Sequence, residues 1–462
     1  MRSEISALVT IISALALAGA ATLSAAASAP VATTTNLTPP GEVLIVDDDG
    51  LQCPGAETSI QAAIDKASAG AVVQVCPGVY TEFVHIDKSL TLIGQPETIA
   101  GLDCFAESAS SLDDLDPTRY ALLSRPEGQT GNLVTVATGG VTVAGLVLQN
   151  ARTRVGNIED AAIDLQSGSA GATVHHNLFR LNGLGVDLGS DGSAATRVHH
   201  NCLRDNDFGM ASQRQDFVEG TVDHNETFRT LRQAYEVGWP YASTRDSVFA
   251  SNVSLQDDIG FTVTNSSNVS IVDNDVHPRR YGVSLGGRRS ALTLPLVPGN
   301  ASIDITDNRI EGGRFLGIFF AGSDLPSHGV VVSDNKIADF APVLPGDPGF
   351  GIGLALNALV EGVEILENVM ENNVVGLSVN PTNSGIVVRD NTVTGNVQQG
   401  IFSRAGVVGA LYKDNLLLGN APSALPGDPI RADARDDNPT ANTWVDNVCQ
   451  TDIPFGSICG VG

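Results

Sequence analysis

Basic and aromatic side chains are scarce in this sequence. Lys and Arg number 26 against 52 Asp and Glu, for a formal net charge of −26, and aromatic residues make up 5% of the chain. So acidic a chain lacks the basic footprint that DNA or RNA binding requires, which excludes nucleic acid as an expected partner. A polyanionic ligand would have to be held by a local group of Arg residues or through bound cations, because the mean field repels it.

Long apolar runs are absent after the N-terminal stretch, so we expect no membrane span in the mature chain. Residues 1–29 combine a charged start, an apolar stretch and the tripeptide Ala27-Ser28-Ala29, which together are typical of a secretory signal peptide. An N-terminal membrane anchor is the alternative, but the apolar run is shorter than the ~20 residues that span a bilayer. Residues 30–42 then predict a linker. We therefore expect a secreted protein, extracellular or in the cell envelope.

No Cys-X-X-Cys pair is present among the six cysteines, which argues against metal ligation by thiolates. An even number of cysteines in an exported protein favours disulfides. Six cysteines allow about 15 pairings. The pairing we expect is Cys449 with Cys459, Cys53 with Cys76, and Cys104 with Cys202.

Helical spacing is nearly absent, and the dominant pattern is a repeat centred on Asn. Each repeat has an apolar residue, two polar residues, Asn, any residue and a second apolar residue, as in VVVSDNKI and IVVRDNTV. Both halves alternate apolar and polar residues, so they predict short strands with one buried face. The intervals cluster at 22 to 24 residues and lengthen where inserts occur. The repeat asparagines are Asn177, Asn201, Asn225, Asn252, Asn274, Asn308, Asn335, Asn368, Asn391, Asn415 and Asn447.

Short strands and turns that repeat every two dozen residues are typical of a solenoid, in which successive coils stack ~4.8 Å apart. Equivalent residues then form columns. The asparagines predict an inward-facing ladder of amide hydrogen bonds at a sharp turn, where Asn tolerates a left-handed backbone conformation. A second, partial column is expected at Asn182, Asn206, Asn373, Asn396 and Asn420.

One amphipathic helix is predicted at 58–69, where Thr58 and Gln61 have the spacing of a capping box. An open solenoid end exposes its core, so we expect this helix to cap the first coil. Its apolar residues recur at helical spacing: Ile60, Ala63, Ile64 and Ala67.

The stretch SIQAAIDKASAGAVVQVCPGVYTEFVHIDKSLTLIG and the Asn-centred coils resemble the right-handed parallel β-helix repeat proteins of the pectin-lyase-like superfamily. The resemblance covers about residues 43–448. It implies an all-β fold, a right-handed single-stranded parallel β-helix of about a dozen coils. We expect a single domain over 43–462, with 421–462 as C-terminal cap and tail. The superfamily includes lyases, hydrolases, esterases, epimerases, adhesins and binding proteins, so it does not fix an activity.

Catalytic motifs of superfamily enzymes are mostly missing. The triplet QDD at 256–258 matches one element of the polygalacturonase-like set, and SHG at 327–329 is a poor match to a second. Asp257 also falls in the second Asn column, which favours a structural role at a turn.

The coil that begins at Asn225 breaks the repeat, since Gln233 replaces the usual Gly and AYEVGWPY follows. Local inconsistency of this kind is typical of functional sites. Aromatic faces stack on sugars, Arg pairs with uronate carboxylates, and Glu or Tyr can act as a general base. The alternative is that the aromatic residues cover a loop and Glu236 is solvated. The predicted catalytic residues are Tyr235, Glu236 and Asp187, and the predicted substrate-binding residues are Gln213, Arg214, Trp239, Arg288 and Arg289.

Histidines precede the ladder Asn in three consecutive coils. His176, His200 and His224 are expected to form a column, with His175 and His199 beside it. Later coils carry Asp or Glu there, so the simplest interpretation is a polar turn position facing water. Imidazoles ~4.8 Å apart are also candidate ligands for Zn²⁺ or Cu²⁺, and copper-site maturation factors are among the proteins similar to this family. The acidic column makes Ca²⁺ the cofactor candidate, because stacked carboxylates repel one another without cations.

Three functions are consistent with these features. The leading hypothesis is a secreted monomer that binds, and cleaves or epimerises, an extracellular acidic polysaccharide. The second is a non-catalytic surface protein or carbohydrate-binding scaffold. The third is a protein that handles copper or zinc. Whether the protein is an enzyme is left open by the sequence.

Overall fold

The computed structural model describes residues 41–462 apart from 96–103, 106–114, 153–159, 287–298, 322–324, 342–349, 358–359, 382, 423–429, 457 and 460–462. The predicted signal peptide, nearly all of the predicted linker, and Arg288 and Arg289 lie outside the described residues. The rest of the chain forms short strands in which buried and accessible side chains alternate, as the sequence pattern predicts.

Among the described residues there are three parallel sheets, and each complete coil contributes one strand to each sheet; the first strand, Val43–Val46, belongs to the first sheet alone. The first sheet has 15 strands: Val43–Val46, Val72–Val75, Thr91–Gly94, Thr142–Ala144, Thr173–His175, Ser190–His199, Phe217–Asp223, Thr244–Ala250, Ser266–Val272, Ala301–Thr306, Ser327–Ser333, Val360–Leu366, Val387–Arg389, Leu411–Lys413 and Thr443–Val445.

The second sheet has 14 strands: Val84–Ile86, Val134–Val136, Ala161–Leu165, Leu184–Asp187, Phe208–Ala211, Gln233–Val237, Ile259–Val263, Tyr281–Leu285, Leu316–Phe320, Ile352–Leu356, Val375–Val379, Gln399–Ser403, Ala432–Asp436 and Asp452–Ile453. The third sheet also has 14 strands: Gly78–Thr81, Ala121–Ser124, Val147–Gln149, Leu178–Arg180, Cys202–Arg204, Glu226–Phe228, Val253–Leu255, Asp275–His277, Arg309–Glu311, Lys336–Ala338, Val369–Glu371, Thr392–Thr394, Leu416–Leu418 and Val448–Cys449. The solenoid fold is thereby confirmed.

The predicted helix is present but shorter, at Ile60–Lys66, and a 3₁₀ turn spans Ser167–Ser169. The N-cap of the α-helix is Ser59 rather than the predicted Thr58. The Ser59 hydroxyl accepts a hydrogen bond from the Ala62 amide at 3.2 Å. The capping box does not form because Glu82 accepts from the Ile60 and Gln61 amides at 2.9 and 3.0 Å. Ile60, Ala63 and Ile64 of the helix and the C-cap residue Ala67 pack into the hydrophobic core.

The asparagine ladder is confirmed. The amide N and Nδ2 of Asn201 both donate to Oδ1 of Asn225, at 3.1 and 2.9 Å, and Nδ2 also donates to the Val174 carbonyl of the preceding coil at 2.9 Å. The same link to the next Asn recurs without interruption from Asn177 to Asn447. Every coil over this range is therefore held to the next at one buried corner.

The left-handed backbone conformation predicted for these asparagines belongs instead to the residue before each of them. The ladder Asn residues are buried, and the turn is made one position earlier. Asp and Asn adopt this conformation more readily than most residues, but His does so here in three coils. The residues with positive φ are His176, His200, His224, Ser251, Asp273, Asp307, Asp334, Glu367, Asp390, Asp414 and Asp446.

The second column is also confirmed, with Asp257 as part of it. Asn182 donates its amide to Oδ1 of Asn206 at 3.0 Å, and Asn373 does the same to Asn396 at 2.9 Å. Asp257 is fully buried and accepts from the Thr230 amide at 2.7 Å and from the hydroxyls of Thr227 and Ser254. Its carboxylate thus closes a turn inside the solenoid, which supports the structural interpretation of the QDD triplet.

All three expected disulfides form: Cys53 with Cys76, Cys104 with Cys202, and Cys449 with Cys459.

No helix in the described ranges has the length and apolar character needed to cross a bilayer.

Replacing Asn252 with Ala tests the ladder. The substitution removes the hydrogen bonds that Asn252 makes to the Asn225 amide N, to Nδ2 of Asn225 and to the Val222 carbonyl, at 3.0, 3.1 and 2.9 Å. Nδ2 of Asn225 keeps its bonds to the Val198 and Asp223 carbonyls, so the Asn225 amide N and the Val222 carbonyl are the groups that lose a partner without another side-chain bond to replace it. At 1–3 kcal/mol per orphaned buried group with partial relaxation, we expect the free energy of unfolding to fall by about 2–4 kcal/mol. Urea denaturation followed by circular dichroism measures the change. The matched control is Asn357→Ala at an exposed position, and equal losses in the two variants would contradict the ladder's role.

Candidate functional site

The outward face of the second sheet carries a column of polar residues. Asp164 lies between Ile163 and Leu165, and Glu236 lies between Tyr235 and Val237; all four neighbours point into the core. Alternation along a strand therefore turns both carboxyl groups outward. Strand pairing aligns this column from coil to coil as Thr135, Asp164, Asp187, Ala211, Glu236, Thr262 and Ser284.

Three carboxyl groups of this column are buried although they point away from the core. Asp187 is 0% exposed, Glu236 1% and Asp164 5%. The segment that follows the strand Phe208–Ala211 lies over them, with Gln213 itself buried and Arg214 about one third exposed.

Gln213 connects two of the three carboxyl groups. Its amide N donates to Oδ1 of Asp187 at 3.3 Å, and its side-chain Nε2 donates to Oε2 of Glu236 at 2.6 Å. Nε of Arg214 lies 3.5 Å from Oδ2 of Asp187. The Asp187 and Glu236 carboxyls are thus held in one site by a single residue.

Asn132 holds the third carboxyl group. Its Nδ2 donates to Oδ2 of Asp164 at 2.8 Å, while its Oδ1 accepts from the Ala161 amide at 2.9 Å and from Nη1 of Arg214 at 3.4 Å. Arg214 therefore spans the site from Asp187 to Asn132.

Each of the three carboxyl groups keeps one buried oxygen that accepts no hydrogen bond from the part of the chain that the structure describes: Oδ1 of Asp164, Oδ2 of Asp187 and Oε1 of Glu236. Buried polar atoms are nearly always hydrogen-bonded, and exceptions concentrate at functional sites. These oxygens are the atoms that a ligand could engage.

Burial also changes the acidity of the site. Burial raises the pKa of Asp187 to about 7; the Arg214 cation opposes this and the charge of Asp164 adds to it. Burial likewise raises the pKa of Glu236 to about 7, opposed by the hydrogen bond from Gln213 and increased by the charge of Asp187. The pKa of Asp164 is raised by burial as well. Near neutral pH the site therefore offers both a proton donor and a proton acceptor.

Tyr235 does not belong to this site. Because Glu236 points outward, the alternation of the strand turns Tyr235 into the solenoid, where it is fully buried and stacks on Phe261 with ring centroids 4.7 Å apart. Its hydroxyl donates to the Asn225 carbonyl at 3.2 Å, and burial raises its pKa well above the ordinary value. The predicted role of Tyr235 as a base is corrected to a role in the core.

Trp239 occupies a tight turn after the strand Gln233–Val237. Its amide and carbonyl pair with those of Ala242 at 2.7 and 3.1 Å, and the side chain is half-buried. The structure thus places Asp187, Gln213, Arg214 and Glu236 together, and sets Trp239 on the turn that follows Glu236.

The predicted histidine column is present, with ring centroids 5.2 Å apart between His176 and His200 and 4.9 Å apart between His200 and His224. The first and third rings are consequently too far apart to share an ion with metal–nitrogen bonds of about 2.0–2.1 Å. The predicted three-histidine ligand set is therefore corrected.

The acidic column expected to bind Ca²⁺ is partly paired internally, since Asp390 contacts Arg389 at 2.6 Å and Asp414 contacts Lys413 at 3.1 Å. A separate set of neighbouring carboxylates, Asp47 to Asp49, lies near the N-terminal disulfide. There Asp47 accepts from the Cys53 amide and Asp48 from the Val79 amide at 2.9 Å, so both already hold the first coils together.

Sequence reasoning missed an aromatic and basic group on the same outward face. Phe402 aligns with the acidic column six coils beyond Glu236. The guanidinium groups of Arg404 and Arg435 lie 4.9 and 4.6 Å from the centroid of its ring. Aligning the coils on the Gly two residues before the outward position, Gly185 for Asp187 and Gly400 for Phe402, would have placed Phe402 in the column of Asp187.

Comparisons with known proteins agree on the fold. A family model described as a right handed beta helix region matches residues 259–425. Similar solved structures include the mannuronan C-5 epimerase AlgE4 A-module of Azotobacter vinelandii, at 15% identity over 77% of this chain and 89% of that chain, with a TM-score of 0.47. The Dettilon tailspike protein matches at 14% identity over 81% and 67%, with a TM-score of 0.50, and the periplasmic alginate epimerase AlgG at 12% over 82% and 77%, with a TM-score of 0.43. No curated protein sequence matches.

Replacing Asp187 with Asn tests the burial of the acid. A carboxyl group whose pKa is raised in the folded state makes the protein less stable as pH increases from about 4 to about 7, because the folded state holds the proton more tightly. We expect D187N to be more stable than the parent by on the order of 2 kcal/mol at pH 8, with the difference shrinking towards pH 4. Urea denaturation at several pH values measures this. Asp304→Asn on the exposed surface is the control, and an equal effect of D187N at both pH values would contradict the assignment.

Proposed function

The chain has the right-handed parallel β-helix fold of the pectin-lyase-like superfamily, and from this we propose that it binds an extracellular acidic polysaccharide along the outward face of the second sheet and cleaves or epimerises it at Asp187 and Glu236. The observation that carries the proposal is the pair of buried carboxyl groups, each with a pKa of about 7 and one oxygen that accepts no hydrogen bond from the described residues, bridged by Gln213. Export of the protein, which places it with such a substrate, is part of the proposal.

The chemistry begins with removal of the sugar proton next to the uronate carboxylate. The ionised member of the pair takes this proton and leaves an electron pair on the carbon. In epimerisation, the protonated member returns a proton to the opposite face of the carbon. In cleavage, the electron pair forms a carbon–carbon double bond, the neighbouring glycosidic C–O bond breaks, and the leaving oxygen takes the proton. Either reaction requires one base and one acid, which two groups with a pKa near neutrality supply together.

Arginine residues on this face offset the repulsion between an acidic polysaccharide and a protein with a net charge of −26. Arg214 is the guanidinium next to the acid pair, and its charge stabilises the negative charge that develops on the sugar carboxylate. Arg404 and Arg435 flank Phe402 further along the same face. A polysaccharide that spans these coils meets an aromatic face and two cations beyond the reacting sugar.

Entry of the sugar requires movement of the segment that covers the acids. Gln213 and Arg214 make the contacts that close the site over Asp187 and Glu236. The substrate must displace these two residues and take over the hydrogen bonds that the backbone amide and Nε2 of Gln213 make to the carboxyl groups. Protonation of Asp187 weakens its ion pair with Arg214 and frees the guanidinium for the sugar carboxylate.

The test is an activity panel on the purified protein with pectate, alginate and hyaluronate. Unsaturated uronide absorbance reports elimination, new reducing ends without that absorbance report hydrolysis, and proton NMR of the polymer reports epimerisation. We expect one acidic polysaccharide to react, with a bell-shaped pH profile centred near pH 7. D187N and E236Q should each lower kcat by about 10²- to 10⁴-fold, the range typical of lost acid–base groups.

The control is D304N, which changes an exposed carboxyl group elsewhere and should retain activity. Absence of all three signals with the parent protein would overturn the catalytic proposal in favour of a binding scaffold. Full activity in D187N and E236Q would overturn the assignment of the site.

A further inference from the structure

The second column of buried polar residues is interrupted at the corner where the third sheet turns into the second. The strands on both sides of this corner stay in register between two successive coils. Arg279 therefore takes the column position that Asp257 has in the coil before, but Arg279 is exposed whereas Asp257 is buried. A break of this kind in an otherwise consistent repeat is typical of functional sites.

A cavity of about 570 Å³ lies at this corner. Its lining includes Arg279 and Arg280 from one coil, Arg314 from the next, and Asp258 and Asp339 from the coils before and after these two. Arg279, Arg280 and Asp339 are exposed, so the cavity opens to solvent. We call this cavity the arginine pocket.

The arginine pocket carries a net positive charge in a strongly acidic protein. Arg280 donates from Nε to Oδ1 of Asp258 at 2.6 Å and from Nη2 to Oδ2, so these two charges offset each other. Arg279 instead donates from Nη2 to the Thr230 carbonyl at 2.9 Å, and this partner is neutral. The lining has three guanidinium groups and two carboxylates, which leaves one positive charge for a singly charged anion.

Backbone pairing brings two of these cations close together. The Arg314 amide donates to the Arg279 carbonyl at 3.1 Å, so the two residues occupy neighbouring positions in successive coils, ~4.8 Å apart. Like charges at this spacing repel each other, and an anion bound between them relieves the repulsion.

Aromatic rings continue from the arginine pocket onto the outward face of the second sheet. The Tyr281 ring centroid lies 5.2 Å from that of Phe315 and 4.8 Å from that of Phe319, and all three rings are half-buried. The guanidinium of Arg280 is 5.5 Å from the Tyr281 centroid, and that of Arg314 is 6.0 Å from the Phe315 centroid. Aromatic rings beside guanidinium groups favour a sugar with an acidic group over a free inorganic anion, because the rings contact the sugar and the cations its charge.

These rings lie on the same face as the pair of buried acids. Glu236 aligns with Thr262, then with Ser284, and Phe319 follows in the same column. Tyr281 is on the strand of Ser284, so it lies two coils, or ~10 Å, from Glu236 along the solenoid axis. A polysaccharide that runs along this axis therefore reaches the arginine pocket with a sugar other than the reacting one.

We propose that the arginine pocket and the rings of Tyr281, Phe315 and Phe319 bind a second acidic sugar of the polysaccharide. The rings contact the apolar face of this sugar, and the pocket takes its singly charged oxyanion, which is a carboxylate or a sulfate ester. The protein thereby selects polymers with negative charge on more than one sugar. The choice of a polysaccharide as ligand rests on the proposed function, but binding at the pocket does not require catalysis.

Equilibrium binding tests the contribution of the pocket. Oligosaccharides of equal length from pectate, chondroitin and chondroitin sulfate are titrated into the protein by calorimetry, with dextran oligosaccharides as the neutral probe. We expect at least one acidic probe to bind and dextran not to bind. R279Q should raise the Kd of that probe by about 10- to 100-fold, because a charged hydrogen-bond donor is lost. R279K should have a smaller effect, because it keeps the charge but not the fork of donors.

Two probes identify the bound group. Chondroitin and chondroitin sulfate differ in the sulfate ester, so a larger effect of R279Q on the sulfated probe assigns the pocket to sulfate. An effect at least as large on the unsulfated probe assigns it to carboxylate. The matched control is R309Q, since Arg309 is an exposed Arg of the third sheet that pairs with Glu311 at 2.5 Å. R309Q should bind like the parent protein.

Modification of the parent protein by phenylglyoxal, located by mass spectrometry, does not depend on the folding of any variant. A saturating acidic probe should protect Arg279 and leave Arg309 reactive. Parent-like binding by R279Q, equal binding of dextran, or equal modification of Arg279 with and without the probe would each overturn the pocket.

The outcomes also separate this inference from the proposed function. If a probe reacts, KM replaces Kd, and R279Q should raise KM by the same factor. Turnover with a parent-like KM in R279Q would remove the pocket and keep the catalytic proposal. Binding that depends on Arg279 without any turnover would remove catalysis and keep the pocket. Absence of binding by every acidic probe would overturn the pocket and the polysaccharide ligand together.

Discussion

One buried amide per coil fixes the register of the solenoid. Each ladder Asn uses its backbone amide and its side-chain amide on the same oxygen of the next Asn, and returns a bond to the carbonyl of the coil before. A slip of one residue at any coil would leave these donors and acceptors unpaired in an apolar interior, at a cost that a short strand pair does not recover. The three sheets therefore keep their alignment even where inserts lengthen a coil, as between Asn274 and Asn308.

The register of the coils brings the side chains of the candidate site together. Asp164, Asp187 and Glu236 are far apart in sequence, but each occupies the same position in its coil, so they line up on one face. The stacked rings of His175 and His199 arise in the same way at another corner. Stacking brings like charges and like rings close together, so each column must be neutralised, desolvated or occupied by a ligand. The acids on the second sheet are covered by Gln213 and Arg214, whereas most of the turn acids stay in water.

The sequence predicts the coils well because the asparagine period and the strand alternation are local signals that agree with each other. It also predicts the disulfides and the presence of Asp187, Gln213, Arg214 and Glu236 near one another. Tyr235 was misplaced because a coil with irregular residues hides which side of the strand faces inward. Asn132 and Asp164 were missed since they precede Asn177, where the repeat is not yet visible in the sequence. The burial of the acids depends on a covering loop, which no pattern within a coil reveals.

The residue before each ladder Asn has a backbone conformation that is the same in every coil of the ladder, but its side chain varies from coil to coil. His, Ser, Asp and Glu all occupy it, with the same backbone conformation. Its side chain projects into solvent at a fixed pitch, while the amide beside it keeps the fold. Substitutions at these turn positions can therefore change a column of surface side chains without destabilising the protein. The column is thus a suitable starting point for evolving or engineering a new ligand-binding surface.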